Sequence, residues 1–288
     1  MESVTVSAYA KLNLALEVVG KRPDGYHEMN MLMQSVSLCD TVVLQKTARE
    51  ITLSCDLPGM PPASENIAYR AAEKFFSFTD ISGGVSVTLT KRIPSQAGMA
   101  GGSADAAAVL CGLNRLYDAG LSVEELCALG VQLGADVPFC IVGSTAHVTG
   151  MGETVEPVPP VPSCAFVVVK PAVGISTGAA FQAIDGAKGL KRVNVAAALK
   201  ASERGDLSTL GGAFCNTFEQ VTNLEEVFLL KQRLSEAGAL GTLMSGSGSA
   251  VFGMFPDERS AGKVQRQFIA EGLESYLAVP VPFGISFE

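Results

Sequence analysis

With 288 residues and 48% hydrophobic content, the chain is long enough for one large domain or two ordinary ones with a substantial core. Its 29 acidic side chains outnumber 21 basic ones for a net charge of −8. No Lys/Arg block interrupts that balance, which argues against nucleic acid or an anionic membrane as a partner. No apolar run approaches the ~18 residues of a membrane span. The N-terminal residues do not read as a signal or transit peptide. Seven scattered cysteines without a C-x-x-C pair, and only His27 and His147, predict free, mostly buried thiols in a reducing cytoplasm rather than disulfides or a zinc site.

Val4 to Val19 alternates with period two through Leu12, Leu14 and Leu16, as a half-buried strand does, and Pro23-Asp24-Gly25 predicts a turn. Leu32 to Leu44 reads as a second strand. Ile67, Ala71 and Phe75 form a helical stripe, and Val85, Val87 and Leu89 mark another strand. A small-residue loop from Pro94 to Gly102 precedes a helix with its apolar face on Val109, Leu113, Leu116 and Tyr117, ended by Gly120. Ser122 to Glu125 has the form of a capping box opening the next helix.

The stretch Pro157-Val158-Pro159-Pro160-Val161-Pro162 reads as a linker, since proline stiffens the chain and removes donors. It divides the chain into residues 1–156 and 157–288. Beyond it, Ala165 to Val169 predicts a buried strand, and Ser176-Thr177 a cap for a helix reaching Ile184. A helix follows over Leu224 to Leu234, then strands at Leu240–Met244 and Val251–Phe255, and a helix from about Arg259. The strands and helices mix without a strict βαβ rhythm, so the fold class is α+β.

Chemistry concentrates in the loop Pro94-Ser95-Gln96-Ala97-Gly98-Met99-Ala100-Gly101-Gly102-Ser103. Small residues let backbone N–H groups converge on one anion, and the following helix adds positive charge at its N-terminus, where Ser103 is expected as the cap. The P-loop pattern G-x-x-x-x-G-K-[ST] is absent. A second glycine loop, Ser245 to Ala250, lies between two apolar strands and is equally consistent with a plain hairpin turn.

Ala10-Lys11-Leu12-Asn13-Leu14, the loop Gly98 to Ser103 and Gly246-Ser247-Gly248-Ser249-Ala250 occur in that order along the whole chain. Together they resemble the three motifs of the galactokinase, homoserine kinase, mevalonate kinase and phosphomevalonate kinase (GHMP) superfamily. Arg22-Pro23-Asp24-Gly25-Tyr26-His27, Leu133-Gly134-Ala135-Asp136-Val137-Pro138 and Lys170-Pro171 narrow the resemblance. They point to the branch that phosphorylates the 2-hydroxyl of a diphosphocytidyl methylerythritol, in non-mevalonate isoprenoid biosynthesis.

The resemblance implies a two-domain GHMP kinase fold, with a ribosomal S5 domain 2-like N-terminal domain and a ferredoxin-like C-terminal one. The cleft between them is expected to hold ATP, Mg²⁺ and the small-molecule substrate. Whether the tail, Phe283 to Glu288, returns to the first domain is open at this point.

The resemblance also implies roles. Asp136 resembles the catalytic carboxylate and Lys11 its partner; such a pair keeps the carboxylate charged and offsets phosphate charge. Asn13 is expected to position the substrate hydroxyl or diphosphate. Tyr26 is expected to stack on the cytosine, His27 to bond its edge, Phe181 to supply a second stacking ring and Thr177 a polar contact. Gly246, Ser247 and Gly248 would lie over the substrate diphosphate. Gly98, Gly101, Gly102 and Ser103, with Pro94, Met99 and Ala100 in the same loop, would cradle ATP phosphates, and Asn66 and Lys91 would lie near adenine or ribose. Gln96, Ala97 and Ala100 stand where glycine is frequent; alanine fits there if φ is negative, so the loop is expected to keep its shape.

A regulator on the same fold would be expected to lack the catalytic lysine or carboxylate, and an RNA-binding S5-like protein to be basic. A homoserine or mevalonate kinase has no use for Tyr26 and His27 beside a base pocket.

Overall fold

The computed structural model describes residues 1–59 and 62–288. It contains two sheets. The first is built on a long antiparallel pair, β1 (Ser3–Lys21) and β2 (His27–Thr47), joined by the short turn at Pro23 to Gly25. The far edge of β2 is shared: β4 (Gly84–Thr90) pairs with its second half and β5 (Thr145–Gly150) with its first. Strand β3 (Ile51–Cys55) lies parallel to β4, and β6 (Thr154–Pro157) antiparallel to β5.

Helices α1 (Ile67–Thr79), α2 (Gly101–Leu116), α3 (Val123–Gly130) and α4 (Val137–Val142) belong to this half. Asn66 caps α1, accepting a hydrogen bond from the Ala68 amide, and Ser122 and Glu125 form the reciprocal capping box of α3. Helix α2 ends at Leu116 with Tyr117 as its cap, three residues before the Gly120 expected to stop it.

The second sheet is antiparallel, in the order β11 (Glu274–Ala278), β7 (Ala165–Lys170), β10 (Val251–Phe255), β9 (Gly241–Met244). With α8 (Glu225–Glu236) between β7 and β9, and α9 (Glu258–Ala270) between β10 and β11, this is the split βαβ arrangement of a ferredoxin-like unit. Every residue of β7 and β10 is buried, so these central strands read as continuous apolar runs rather than alternating ones.

The two halves exchange chain. Beyond the proline stretch come α5 (Thr177–Gly186), α6 (Val195–Glu203) and α7 (Leu207–Gly212). The short β8 (Cys215–Asn216) then pairs parallel to β1 at Ala15 and Leu16, and β12 (Ile285–Phe287) pairs with β1 at Val6 to Ala8. The tail therefore does return to the first sheet. Val195, Ala198 and Leu210 join the main core with Leu12, Leu14 and Leu113, while a second core packs Met31 and Met33 against Val167 and Val169. None of the seven cysteines is in a disulfide; Cys111, Cys140 and Cys164 are buried and the other four half-buried. Burial pushes the Cys111 thiol up to about 12. Among the described residues, no helix is long and apolar enough to cross a membrane.

Candidate active site

Between the sheets lies a cleft of about 870 Å³. Alternation along β1 puts Lys11 and Asn13 on the same face. There the nearly buried Lys11 ammonium donates to the Asn13 Oδ1 at 2.5 Å and to the Gly98 carbonyl at 2.9 Å. Its remaining donor faces Asp136, whose Oδ2 lies 3.8 Å away. Asp136 stands at the mouth of α4 and is one-third exposed to the cleft, so one oxygen can meet a ligand while the other faces the ammonium. The amide oxygen of Asn13, expected on substrate, is here committed to Lys11, and its Nδ2 faces the Met31 sulfur at 3.4 Å.

The first glycine loop differs from expectation in two ways. Helix α2 begins at Gly101, so Ala100 is its cap residue and Ser103 lies within the first turn. No side chain caps this helix, which leaves its first N–H groups facing the cleft, as an anion requires. Gln96 and Ala100 adopt φ of 51° and 60°, not the negative φ anticipated for non-glycine residues. Each carries a left-handed strain of about 1 kcal/mol that the surrounding contacts must offset.

At Gln96 those contacts come from the second glycine loop. It turns the β9–β10 hairpin and is also stitched to the first loop. The amides of Ser249 and Ala250 donate to the carbonyls of Gln96 and Ala97, both at 3.3 Å, and the Ser245 hydroxyl donates to the Gly98 carbonyl at 2.9 Å. From behind, the Asn216 amide donates to the carbonyls of Met244 and Gly246, both at 2.8 Å. Gly246 and Ser247 line the cleft, the Ser247 hydroxyl 3.1 Å from that of Thr177. Gly248 does not line it and packs against Met244 and Ile175.

All nine residues expected around ATP line the cleft. The Asn66 side chain, nearly buried, is committed to the α1 cap through the Ala68 amide. Lys91 is not solvated: its ammonium is buried between Asp40 and Asp105, with the Asp105 Oδ2 at 2.5 Å. Asp40 also accepts from the Arg92 amide at 2.5 Å and the Ile93 amide at 2.8 Å, which ties the entry of the glycine loop to β2.

At the other end of the cleft, the imidazole of His27 stacks on Phe181, with ring centroids 4.5 Å apart and planes 18° from parallel. Tyr26, expected to stack on the cytosine, lines the same cleft from the hairpin and is 60% exposed. Phe181 is backed edge-on by Phe218 at 5.1 Å. Aromatic stacking, a polar helix face and an anion-binding loop thus share one cleft with a lysine–aspartate pair.

Residues 66–144 match the family described as GHMP kinases N terminal domain, and residues 197–274 that described as GHMP kinases C terminal. A 4-diphosphocytidyl-2-C-methyl-D-erythritol kinase of Lachnoclostridium phytofermentans is 42% identical over 264 residues, 91% of each chain. The protein of that name from a Synechococcus strain is 44% identical over 272 residues, covering 91% of this chain and 88% of its own. The chain belongs to the 4-diphosphocytidyl-2-C-methyl-D-erythritol kinase family of GHMP kinases. A crystal structure of 4-(cytidine 5'-diphospho)-2C-methyl-D-erythritol kinase superposes with a TM-score of 0.82 at 34% identity, covering 96% of this chain and 98% of that one. A homoserine kinase from Cytophaga hutchinsonii has the same fold, with a TM-score of 0.80 at 20% identity over 100% of this chain and 98% of its own.

Within this family member, several cleft-forming residues carried no role in the sequence reading. Asp40, Asn216, Ser245 and Asp185 hold their neighbours through hydrogen bonds between residues far apart in the chain, which no spacing announces. Asp105 stands two residues beyond the glycine loop, in the first turns of α2, yet only the packed structure brings it to Lys91.

Asp105 makes the pH dependence predictable. Burial, opposed by the Lys91 charge, pushes its carboxyl up to about 7. Because this is above the unfolded value, the folded state holds a proton that the unfolded chain has released at intermediate pH. The associated stability is present at low pH and is lost as pH rises from the ordinary carboxylate range through about 7. Asp105→Asn should therefore flatten the fall of the melting temperature between pH 5 and 8, as read by thermal denaturation across buffers; an unchanged slope would contradict the assignment.

Proposed function

We propose that this chain transfers the γ-phosphoryl group of ATP to the 2-hydroxyl of 4-diphosphocytidyl-2-C-methyl-D-erythritol, a step in making isoprenoid precursors by the non-mevalonate route. The observation that carries the reading is the Lys11–Asp136 pair, set between an uncapped helix N-terminus at Gly101 and an aromatic group at His27 and Phe181, all in one cleft. ATP phosphates lie against the first glycine loop, and the substrate diphosphate against Gly246 and Ser247. The cytidine reaches the hairpin of Tyr26 and His27.

Asp136 takes the proton of the substrate hydroxyl as its oxygen forms the bond to the γ-phosphorus. The bond from that phosphorus to the β,γ-bridging oxygen breaks in line, ADP leaves, and no phosphoenzyme forms. Lys11 keeps Asp136 ionised and offsets charge on the transferring group. Among the described residues no three His, Cys, Asp or Glu side chains converge to hold a metal. Mg²⁺ fits as the ion carried on the ATP phosphates, where it keeps waters and needs only one or two protein oxygens. The Ser103 hydroxyl is the cleft group suited to that, and the bound ion would neutralise phosphate charge. Seven scattered cysteines without a C-x-x-C pair support a place in the reducing cytoplasm.

The test is ATP-dependent ADP release with four acceptors: the diphosphocytidyl methylerythritol, homoserine, mevalonate and galactose. Selective turnover of the first supports the reading; turnover of another acceptor instead would remove the cytidyl assignment. Tyr26→Ala should raise KM for the cytidyl substrate about tenfold, as loss of one stacking ring does, with kcat and the KM for ATP within about twofold. An effect confined to ATP would overturn the placement of the base.

A further inference from the structure

Helix α5 brings more to the cleft than its two expected residues. Thr177, Phe181 and Asp185 are spaced by four, so they stand above one another on one helical face, and all three line the cleft. Asp185 is bound at both oxygens. Oδ1 lies 2.8 Å from the His27 Nε2 and Oδ2 lies 2.5 Å from the Lys21 Nζ. These bonds hold its carboxyl below the usual range, Lys21 contributing more than His27, so it is ionised and can only accept. The His27 Nε2 therefore carries the hydrogen.

Lys21 and His27 are cross-strand partners at the end of the β1–β2 pair. The loop they close is only residues 22–26, tightened by the Arg22 amide donating to the Tyr26 carbonyl at 2.7 Å. One carboxylate from the second half of the chain thus clamps both legs of the hairpin that carries Tyr26, and holds the His27 ring flat on Phe181. His27 is only 8% exposed, whereas Lys21 is more than half exposed, so the bond to His27 is the one shielded from solvent.

We propose that Asp185 is the positioning residue of nucleobase recognition: through its bond to the His27 Nε2 it fixes the imidazole on Phe181 and so sets the hairpin and α5 at the separation that admits a cytosine. This rests on the cytidyl substrate reading above. Asp185 acts through His27, not by touching the base, and its removal leaves the Lys11–Asp136 pair and the glycine loops unchanged.

The experiment is a double-mutant cycle of Asp185→Ala and His27→Gln, with KM for the diphosphocytidyl methylerythritol, KM for ATP and kcat measured for each. Asp185→Ala should raise KM for the cytidyl compound about tenfold, the worth of one charge-assisted hydrogen bond, with kcat and KM for ATP within about twofold. Asp185→Asn, whose amide oxygen still accepts from Nε2, should recover part of that loss. In the His27→Gln background the Asp185→Ala change should cost less than about twofold, because the two residues act as one unit. Full additivity would overturn the proposal, since a residue that merely supports the fold or contacts the base by itself keeps its effect without His27. An unchanged KM in Asp185→Ala would overturn it as well. Failure of the unmodified chain to turn over the cytidyl compound would instead remove the substrate reading and this inference with it.

Discussion

Replacing Asp136 with alanine is expected to lower kcat by about 10²–10⁴-fold, the range over which a positioned acid–base group acts. That corresponds to about 3–5 kcal/mol of transition-state stabilisation. Binding of ATP should change little, because the nucleotide rests on the glycine loop and the α2 N-terminus, neither of which bonds to Asp136. The geometry makes this a sharp expectation. Asp136 lies 3.8 Å from the Lys11 ammonium and is one-third open to the cleft, so its loss removes the proton acceptor without opening a core cavity. Lys11 keeps two partners, Asn13 and the Gly98 carbonyl, and stays in place. Single-turnover kinetics with saturating ATP, beside ATP affinity by calorimetry, separate chemistry from binding. Near-normal turnover would sink the assignment of Asp136 as the proton acceptor.

Gly98→Ala is expected to be severe for a different reason. An added Cβ would sit 1.9 Å from the Ser245 carbonyl oxygen, well inside contact, and the obstacle is backbone that no rotamer change can move. Gly98 also has φ of +70°, where alanine is strained. The two glycine loops must part, which breaks the Ser245 hydroxyl and Lys11 ammonium bonds to the Gly98 carbonyl. A stability loss of about 2–4 kcal/mol should follow. Displacement of the loop by a fraction of an ångström to 1 Å should cut kcat/KM for ATP about 10²-fold.

Gly120→Ala is the control. It has the same φ of +70° with nothing within 4 Å of its added Cβ, so it should show the backbone strain alone, about 1 kcal/mol, and unchanged kinetics. Equal effects of the two substitutions on melting temperature would show that the loop-to-loop contact contributes nothing.

These contacts also explain how Gln96 and Ala100 tolerate left-handed backbone. The Ser249 amide donates to the Gln96 carbonyl, the Lys11 amide donates to the Met99 carbonyl at 3.2 Å, and the Ala104 amide closes the first helical turn on the Ala100 carbonyl at 2.9 Å. Glycine would adopt these angles without strain; here the loop is held in shape by its neighbours. Alanine fits without strain only where φ is negative, and nothing local shows the positive φ at Gln96 and Ala100, because the constraint is tertiary.

What the chain alone determined was whatever depends on local periodicity and ordered motifs. Period-two alternation marked β1 and placed Lys11 with Asn13 on one face, the capping box at Ser122 marked α3, and the order of three glycine and lysine motifs identified the GHMP family. Short elements without clear periodicity, such as α4, α7 and β8, had no such signal and are set by packing. The pairing of Lys91 with Asp40 and Asp105 spans 51 and 14 residues, that of His27 with Asp185 spans 158, and that of Gly98 with Ser245 spans 147. No local rule sets such distances. They follow from strand register and from the return of β8 and β12 to β1, because a hydrogen bond depends on where two backbones are brought to within about 3 Å and not on their separation along the chain.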